Sequence, residues 1–207
     1  VPCYCEENVW RLAYRKICQQ RNRETYHVAF VSNPRGCVPM FEQLAAEDRS
    51  QPVMWDYHVI LLMTTPVSKD SQTPKTYVMD IDSHLPYPCP LEEYVETVFP
   101  NHTDWMEEFL PYFRVIGASI YLRHFSSDRS HMFNAKTKTW NAQPPPYKCI
   151  MPMKNSDEPN SESERNTTNA LQQYMTISDQ DVVDSQNQNN EDDPYGQIYS
   201  LSQLLQR

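Results

Sequence analysis

Three short segments of this sequence carry side chains that could perform nucleophilic chemistry. Cys5 supplies a thiol near the start of the chain, and His58 supplies an imidazole. A carboxylate follows at Asp80 or Asp82. A thiol becomes a strong nucleophile beside a base, and the base needs an acid that fixes its orientation. The three segments therefore predict a Cys-His-Asp triad of a thiol hydrolase.

The thiol is expected at the start of a helix. Residues 6–18 carry apolar side chains at helical spacing, which predicts an amphipathic helix. Backbone N–H groups and the helix dipole at such a position lower the pKa of a thiol. Glu6 and Glu7 oppose this effect, so His58 must contribute more of the activation. Cys3 is a rival nucleophile that the pattern leaves open.

The imidazole and the carboxylate are expected on two paired strands. Residues 53–64 form the strongest strand pattern, and residues 76–82 form the next one. In an antiparallel pair, His58 comes to lie opposite Asp80 or Asp82. Both aspartates share one face of the strand, so the alternation of side chains leaves both open. Further patterns predict strands over 26–32 and 113–118 and a helix over 90–99.

The length of 207 residues suits one folded domain with a substantial core. Of the 27 acidic and 18 basic side chains, ten acidic and three basic ones lie in residues 150–207. The net charge of −9 therefore comes mostly from the tail, and no basic surface for nucleic acid is indicated. No apolar run is long enough for a membrane span.

The composition divides the chain into three parts. Residues 1–153 are predicted to form the catalytic core. Residues 154–194 are an acidic, polar, low-complexity insertion that we expect to be largely mobile, although Leu171, Tyr174, Met175 and Ile177 form an apolar island that could dock. Residues 195–207 regain apolar character and are expected to pack back on the core. The six cysteines are expected to be free thiols. Because the chain starts at Val1 without methionine, we expect that native residues precede it.

Several unusual strings in this sequence resemble the protein N-terminal glutamine amidohydrolase family, over most of residues 3–150. The strings are Cys3-Tyr4-Cys5-Glu6-Glu7-Asn8-Val9-Trp10, Trp55-Asp56-Tyr57-His58-Val59, Asp80-Ile81-Asp82 with Leu85-Pro86, Ser127-Asp128-Arg129-Ser130-His131-Met132, and Pro144-Pro145-Pro146-Tyr147 with Cys149-Ile150. Carried over from the family, the nucleophile is Cys5, the base is His58 and the orienting acid is Asp80.

The resemblance also implies a fold and an activity. The fold is expected to be α+β with a papain/transglutaminase-like core, in which an N-terminal helix bearing the cysteine packs on a mainly antiparallel sheet with flanking helices. The expected reaction converts N-terminal glutamine of proteins and peptides to glutamate with release of ammonia, through a Cys5 thioester, without metal or cofactor. The implied setting is the arginylation branch of the N-degron pathway, in a monomer of the cytoplasm and also of the nucleus.

Selectivity for a chain terminus requires recognition of a free α-ammonium group, most simply by a carboxylate. Glu6, beside Cys5, and Asp56, on the predicted His58 face, are the candidates. Trp55 or Tyr57 could form an aromatic wall along the substrate. Asp128 and Arg129 are expected to form a buried ion pair that braces the site.

Three rival classes stay open on the sequence. A transglutaminase or a cysteine peptidase would use the same triad on another acyl donor. A structural zinc domain could use Cys3, Cys5 and a histidine, although Cys-x-Cys lacks the usual paired spacing. A non-enzymatic adaptor could act through the acidic tail.

Overall fold

A computed structural model describes residues 2–18, 23–67, 73–153, 169–184 and 193–207. Within these ranges the α-helices are α1 Cys5–Cys18, α2 Leu91–Val98, α3 Ala118–His124, α4 Leu171–Met175, α5 Asp179–Asp184 and α6 Leu201–Leu205. The strands are β1 Thr25–Ser32, β2 Val38–Met40, β3 Val53–Trp55, β4 His58–Thr65, β5 Lys75–Met79, β6 Cys89–Pro90, β7 Tyr112–Gly117, β8 Phe133–Asn134, β9 Thr139–Trp140 and β10 Gln197–Ser200. Short 3-10 helices span His102–Asp104, Glu107–Phe109 and Ser130–Met132.

Six strands form one sheet in the order β10-β7-β1-β4-β5-β6, and every pairing in it is antiparallel. The pairs β2–β3 and β8–β9 form two separate two-stranded sheets. The expected α+β class with a mainly antiparallel sheet is confirmed.

Helices cover both faces of the main sheet, because side chains alternate between the two faces of each strand. One core joins one face of β1 and β4 to α1, α3 and α4, and its members include Val9, Leu12, Val28, Phe30, Val59, Leu61, Tyr121 and Tyr174. The other core joins the opposite face to α2 and α6, and its members include Ala29, Val31, Ile60, Leu62, Tyr94, Val95, Leu201 and Leu204. The helix that begins at Cys5 and the helix that carries Tyr94 therefore pack on opposite faces of the strand that carries His58.

The strand predicted over 53–64 is interrupted in the structure. β3 ends at Trp55 and β4 begins at His58, so β3 pairs with β2 while β4 joins the main sheet. The intervening backbone is bonded elsewhere: the Asp56 carbonyl accepts from Ser32 Oγ at 2.7 Å, and Asp56 Oδ1 accepts from the Tyr57 amide at 2.9 Å. His58 thus becomes the first residue of a central strand.

The C-terminal residues contribute to both cores. Leu171 and Tyr174 of α4 are buried, and β10 pairs with β7 at the edge of the sheet. Arg114 on β7 donates to the Thr176 carbonyl at 2.8 Å and to the Tyr195 carbonyl at 3.2 Å. These hydrogen bonds attach the described C-terminal residues to the main sheet. Within the predicted insertion, residues 154–168 and 185–192 lie outside the described residues.

All six cysteines are free thiols, as the sequence predicts. Among the helices of the described ranges, none combines the length and the apolar character that a membrane span requires.

Candidate active site

Cys5 is the first residue of α1 and lies against the beginning of β4. The backbone of Val59, the residue directly after His58, is close enough to the sulfur to lower the pKa of the thiol by hydrogen bonding. The Cys5 thiol donates to Glu6 Oε2 at 3.8 Å. Burial raises the pKa of the Cys5 thiol well above its ordinary value, the charges of Glu6 and Asp82 raise it further, and the Val59 hydrogen bond lowers it. The thiol is therefore the favoured form in the free protein, so proton removal must accompany its reaction.

His58 is held by a buried carboxylate. Its Nε2 lies 3.0 Å from Asp80 Oδ1. Asp80 also accepts from the Tyr94 hydroxyl at 2.7 Å and from the Asp82 amide at 3.0 Å. Burial would raise the pKa of Asp80, but His58 and these donors together keep it below its ordinary value. Burial would lower the pKa of His58, but the charge and hydrogen bond of Asp80 together with the charge of Asp82 outweigh burial, so this pKa is raised. Asp80 thus makes the imidazole a stronger base and stabilises the imidazolium that forms when His58 accepts a proton.

Trp55 stacks on the imidazole from the preceding strand. The ring centroids of Trp55 and His58 are 5.7 Å apart with an interplanar angle of 21°. The Trp55 indole N–H donates to Gln43 Oε1 at 3.3 Å, and Gln43 is itself buried. The imidazole is therefore fixed by a hydrogen bond at its edge and by a ring at its face.

The sheet register explains which aspartate meets His58. Leu61 pairs with Met79, so continuing the ladder would set His58 opposite Asp82. The strand ends at Met79, however, and beyond this point the chain departs from the ladder, which lets Asp80 reach the imidazole. In the described part of the chain, ligand-type atoms of His58, Asp80 and Asp82 lie within 4.8 Å of one another. Such donors could hold a cation, but Nε2 and Oδ1 already bond to each other, and we assign no metal.

Glu7 is buried and paired with an arginine. Arg129 Nε donates to Glu7 Oε1 at 2.7 Å, and Nη2 donates to Oε2 at 2.8 Å. The predicted pair between Asp128 and Arg129 is wrong: Asp128 is exposed and its carboxylate accepts from the Ser130 amide. The negative charge of Glu7 is thus compensated, and Glu6 is the acid of α1 that acts on the thiol.

Glu6 has no exposed surface. Its Oε2 accepts from the Tyr57 hydroxyl at 3.1 Å, and its Oε1 lies 3.7 Å from His131 Nε2, beyond hydrogen-bond distance. Neither Glu6 Oε1 nor the two ring nitrogens of His131 has a hydrogen-bond partner among the described residues. Burial raises the pKa of Glu6 to about 7 and lowers the pKa of His131. Near neutral pH, Glu6 is therefore divided between its neutral and charged forms.

The four residues predicted to bind substrate differ in access. Asp56 is exposed, Trp55 is partly buried, and Glu6 and Tyr57 are buried.

Cys5, His58 and Asp80 come together at the junction of α1, β4 and the end of β5, whereas Cys3 lies on the surface before the helix. Sequence reasoning missed the contacts that Tyr94, Gln43 and His131 make around the site. Tyr94 gave no signal because it fits the apolar face of a helix.

A cavity of about 570 Å³ lies elsewhere, among residues that include His27, Thr64 and Arg207. Thr64 and His58 are near opposite ends of β4, so this cavity is roughly 20 Å from the imidazole. It contains none of the three predicted catalytic residues. The candidate active site therefore lies at the other end of β4, where Cys5, His58 and Asp80 are found.

The sequence matches a family model described as N-terminal glutamine amidase over residues 1–207. The protein N-terminal glutamine amidohydrolase of Bos taurus is 43% identical over 149 residues, which are 72% of this chain and 68% of that relative. The protein of the same name from Danio rerio is 37% identical over 149 residues, 72% of this chain and 70% of the relative. The one from Arabidopsis thaliana is 39% identical over 155 residues, 72% of this chain and 67% of the relative.

Proposed function

This chain belongs to the N-terminal glutamine amidase family, and from that premise we propose that it hydrolyses the side-chain amide of N-terminal glutamine in proteins and peptides. The products are N-terminal glutamate and ammonia. The observation that supports this activity most directly is the buried His58–Asp80 hydrogen bond of 3.0 Å at the beginning of β4, because the charge of Asp80 acts on the Cys5 thiol at the start of α1.

In the first half of the reaction, Cys5 attacks the carbon of the glutamine carboxamide. Asp80 engages Nε2 of His58, so Nδ1 is the nitrogen that takes the thiol proton. The tetrahedral intermediate collapses as the imidazolium passes this proton to the departing nitrogen. Ammonia leaves, and an acyl thioester on Cys5 remains.

In the second half, water attacks the thioester carbon. His58 accepts a proton from the water and returns it to the leaving sulfur, which restores the thiol and releases the glutamate carboxyl group. Asp80 stabilises the imidazolium in both halves. Each step needs only these side chains and water, and no resident metal or cofactor.

Charge on the carbonyl oxygen is stabilised by backbone N–H groups at the beginning of α1. The first N–H groups of a helix have no acceptor within the helix, and here the first helical bond is donated by Asn8 to the Tyr4 carbonyl. The amide of Cys5 is therefore our candidate for one donor of the oxyanion hole.

The four residues predicted to bind substrate have different roles. We assign to Glu6 and Asp56 a negative potential that favours a cationic chain terminus in the cleft. Trp55, partly exposed and stacked on His58, flanks the substrate. Tyr57 positions the Glu6 carboxyl through its hydroxyl and completes the aromatic wall.

The wider setting follows from the same proposal. The cysteine on the helix and the His-Asp pair on an antiparallel sheet support a papain/transglutaminase-like core. The glutamate product would enter the arginylation branch of the N-degron pathway. We accordingly propose a monomer that acts in the cytoplasm and also in the nucleus.

The activity is tested with a Gln-initiated peptide, its acetylated twin and an Asn-initiated peptide. We expect ammonia release and a mass gain of about one dalton from the free Gln peptide alone, because hydrolysis replaces NH₂ by OH. The variant Cys5→Ala should lose this activity. Cys3→Ala is the matched control, because Cys3 is exposed and lies two residues away.

Two results would reject the proposal. Backbone cleavage or incorporation of an added amine would indicate the peptidase or the transglutaminase. Full activity of Cys5→Ala together with loss of activity in Cys3→Ala would assign the nucleophile to the other thiol.

A further inference from the structure

Asp82 is a half-buried carboxylate beside the His58–Asp80 pair. Its amide donates to Asp80 Oδ1 at 3.0 Å, and its carbonyl accepts from the Leu44 amide at 2.8 Å. The backbone is thus held on both sides of the side chain. One carboxylate oxygen of Asp82 lies within 4.8 Å of a ring nitrogen of His58 and of an oxygen of Asp80. The backbone that carries this third carboxylate is therefore held beside the His58–Asp80 pair.

The carboxylate of Asp82 lacks an ordinary partner among the described residues. Among the described residues, no arginine or lysine forms an ion pair with it, and its carboxylate accepts no hydrogen bond. The charges that act on it are those of His58, of Asp80 and of the amino terminus of the chain. A half-buried carboxylate without a donor is unfavourable unless a ligand supplies one. A cationic ligand at this point would remove that cost.

We propose that Asp82 binds the α-ammonium group of the N-terminal glutamine. This inference depends on the proposed function and adds the carboxylate that recognises the chain terminus. Glu6 has no exposed surface, and the Asp56 carboxylate is exposed to water and accepts from the neighbouring Tyr57 amide. Asp82 is the acid that combines access with a position beside the catalytic pair.

The same anchor accounts for selection of glutamine over asparagine. Four bonds separate the α-nitrogen from the carboxamide carbon of glutamine, and three separate them in asparagine. With the α-ammonium held at Asp82 and the sulfur held at Cys5, the shorter side chain does not bring its carbon to the nucleophile. A displacement of about 1 Å in such a geometry can cost about a hundredfold in rate.

Binding at Asp82 also couples recognition to activation of the thiol. The negative groups that act on Cys5 are Glu6, Asp82 and Asp80, and the Asp82 charge opposes formation of the thiolate. A bound α-ammonium cancels this charge and so favours the thiolate. A chain with a blocked terminus brings no positive charge, which leaves Cys5 in its thiol form.

The first experiment measures kcat/KM on two peptides that differ in one group. One begins with glutamine, and the other begins with a 4-carbamoylbutanoyl group, which has the same side chain but no α-amine. Asp82→Asn should lower kcat/KM for the Gln peptide by about 10- to 100-fold, the loss of one hydrogen bond between charged groups. The kcat/KM for the amine-free peptide should show no such loss. Asp104→Asn, the same substitution at an exposed site, is the matched control.

The second experiment follows alkylation of Cys5 by iodoacetamide against pH. Peptide mass spectrometry is needed to isolate the Cys5 product, because the exposed thiols of Cys3, Cys18 and Cys149 react with iodoacetamide as well. Asp82→Asn should move the midpoint of Cys5 alkylation to lower pH, since a negative charge near the sulfur is gone. A role limited to folding would leave this midpoint unchanged.

Two outcomes would overturn the role of Asp82. One is an equal loss on both peptides with an unchanged alkylation profile. The other is that Asp56→Asn, and not Asp82→Asn, erases the preference for the amine. Release of ammonia from neither peptide by the wild type would instead refute the proposed function. In that case the binding of both peptides to Cys5→Ala is measured by calorimetry. Equal affinity for the two peptides would show that Asp82 does not bind the α-ammonium group.

Discussion

Arg129 donates two hydrogen bonds to the Glu7 carboxylate, at 2.7 and 2.8 Å, across 122 positions of the sequence. Both residues are buried, and Arg129 also donates to the Pro145 carbonyl at 3.2 Å. The pair joins the first turn of the nucleophile helix to the segment after α3. It also compensates a charge that would otherwise oppose the Cys5 thiolate.

Loss of one partner of this pair should be strongly destabilising. Arg129→Met leaves the Glu7 carboxylate buried and unpaired, at a cost of about 3–5 kcal/mol in the free energy of unfolding. The double variant Glu7→Met/Arg129→Met should lose less than the sum of the two single variants. Urea unfolding of all four proteins measures this coupling. Additive losses would show that the pair is not energetically linked.

The hydroxyl of Tyr94 should influence the pH below which kcat/KM falls. Tyr94→Phe removes a donor that lowers the pKa of Asp80, so this pKa should rise and activity at low pH should fall first. A kcat/KM profile against pH should show its acid limb displaced to higher pH, with a loss of only a few-fold at pH 8. Asp80→Asn should cost about a thousandfold or more at all pH values. The control is Tyr87→Phe at an exposed ring, for which a displaced limb would contradict this account.

Glu6→Gln should change how stability depends on pH. The pKa of Glu6 rises from 4.5 to about 7 in the folded protein, so the folded state favours the neutral form. The stabilisation of the folded state by neutral Glu6 is fully present below pH 4.5 and is lost as the pH rises through 7. At pH 8 the free energy of unfolding of the wild type is therefore lower by up to about 3 kcal/mol. Compared with the wild type, Glu6→Gln should therefore gain stability between pH 5 and pH 8. Urea unfolding at both pH values tests this, and Glu92→Gln on an exposed helix face should show no such gain.

Two glycines with positive φ should respond differently to alanine. Gly196 has φ +69°, and a Cβ there would collide with the Val115 carbonyl oxygen and the Ile116 side chain. Gly36 has φ +59° and faces open space. Gly36→Ala should cost about 1 kcal/mol from backbone strain alone, and Gly196→Ala should cost about 3 kcal/mol or more because β10 must shift. Thermal unfolding of the two variants measures both losses of stability. Equal losses would show that the predicted collision of a Cβ at position 196 does not contribute.

Local patterns predicted much of the secondary structure. The apolar spacing of residues 6–18 and the branched residues of 58–64 identify α1 and β4 because each depends on side chains that are neighbours in sequence. The interruption between β3 and β4 escaped this reasoning. It depends on a hydrogen bond from Ser32, which is 24 positions away from Asp56.

The sequence by itself determined the family, through its long unusual strings, and it determined the elements that carry the thiol, the imidazole and the carboxylates. Tertiary structure decided which groups meet. It paired Arg129 with Glu7 and not with Asp128, buried Glu6 until its pKa approached neutrality, and brought Asp80 to His58 where the strand ladder alone would have offered Asp82. The physical reason is that periodicity reports only the face on which a side chain lies. Charge, burial and contact depend on the path of residues that are distant in the chain.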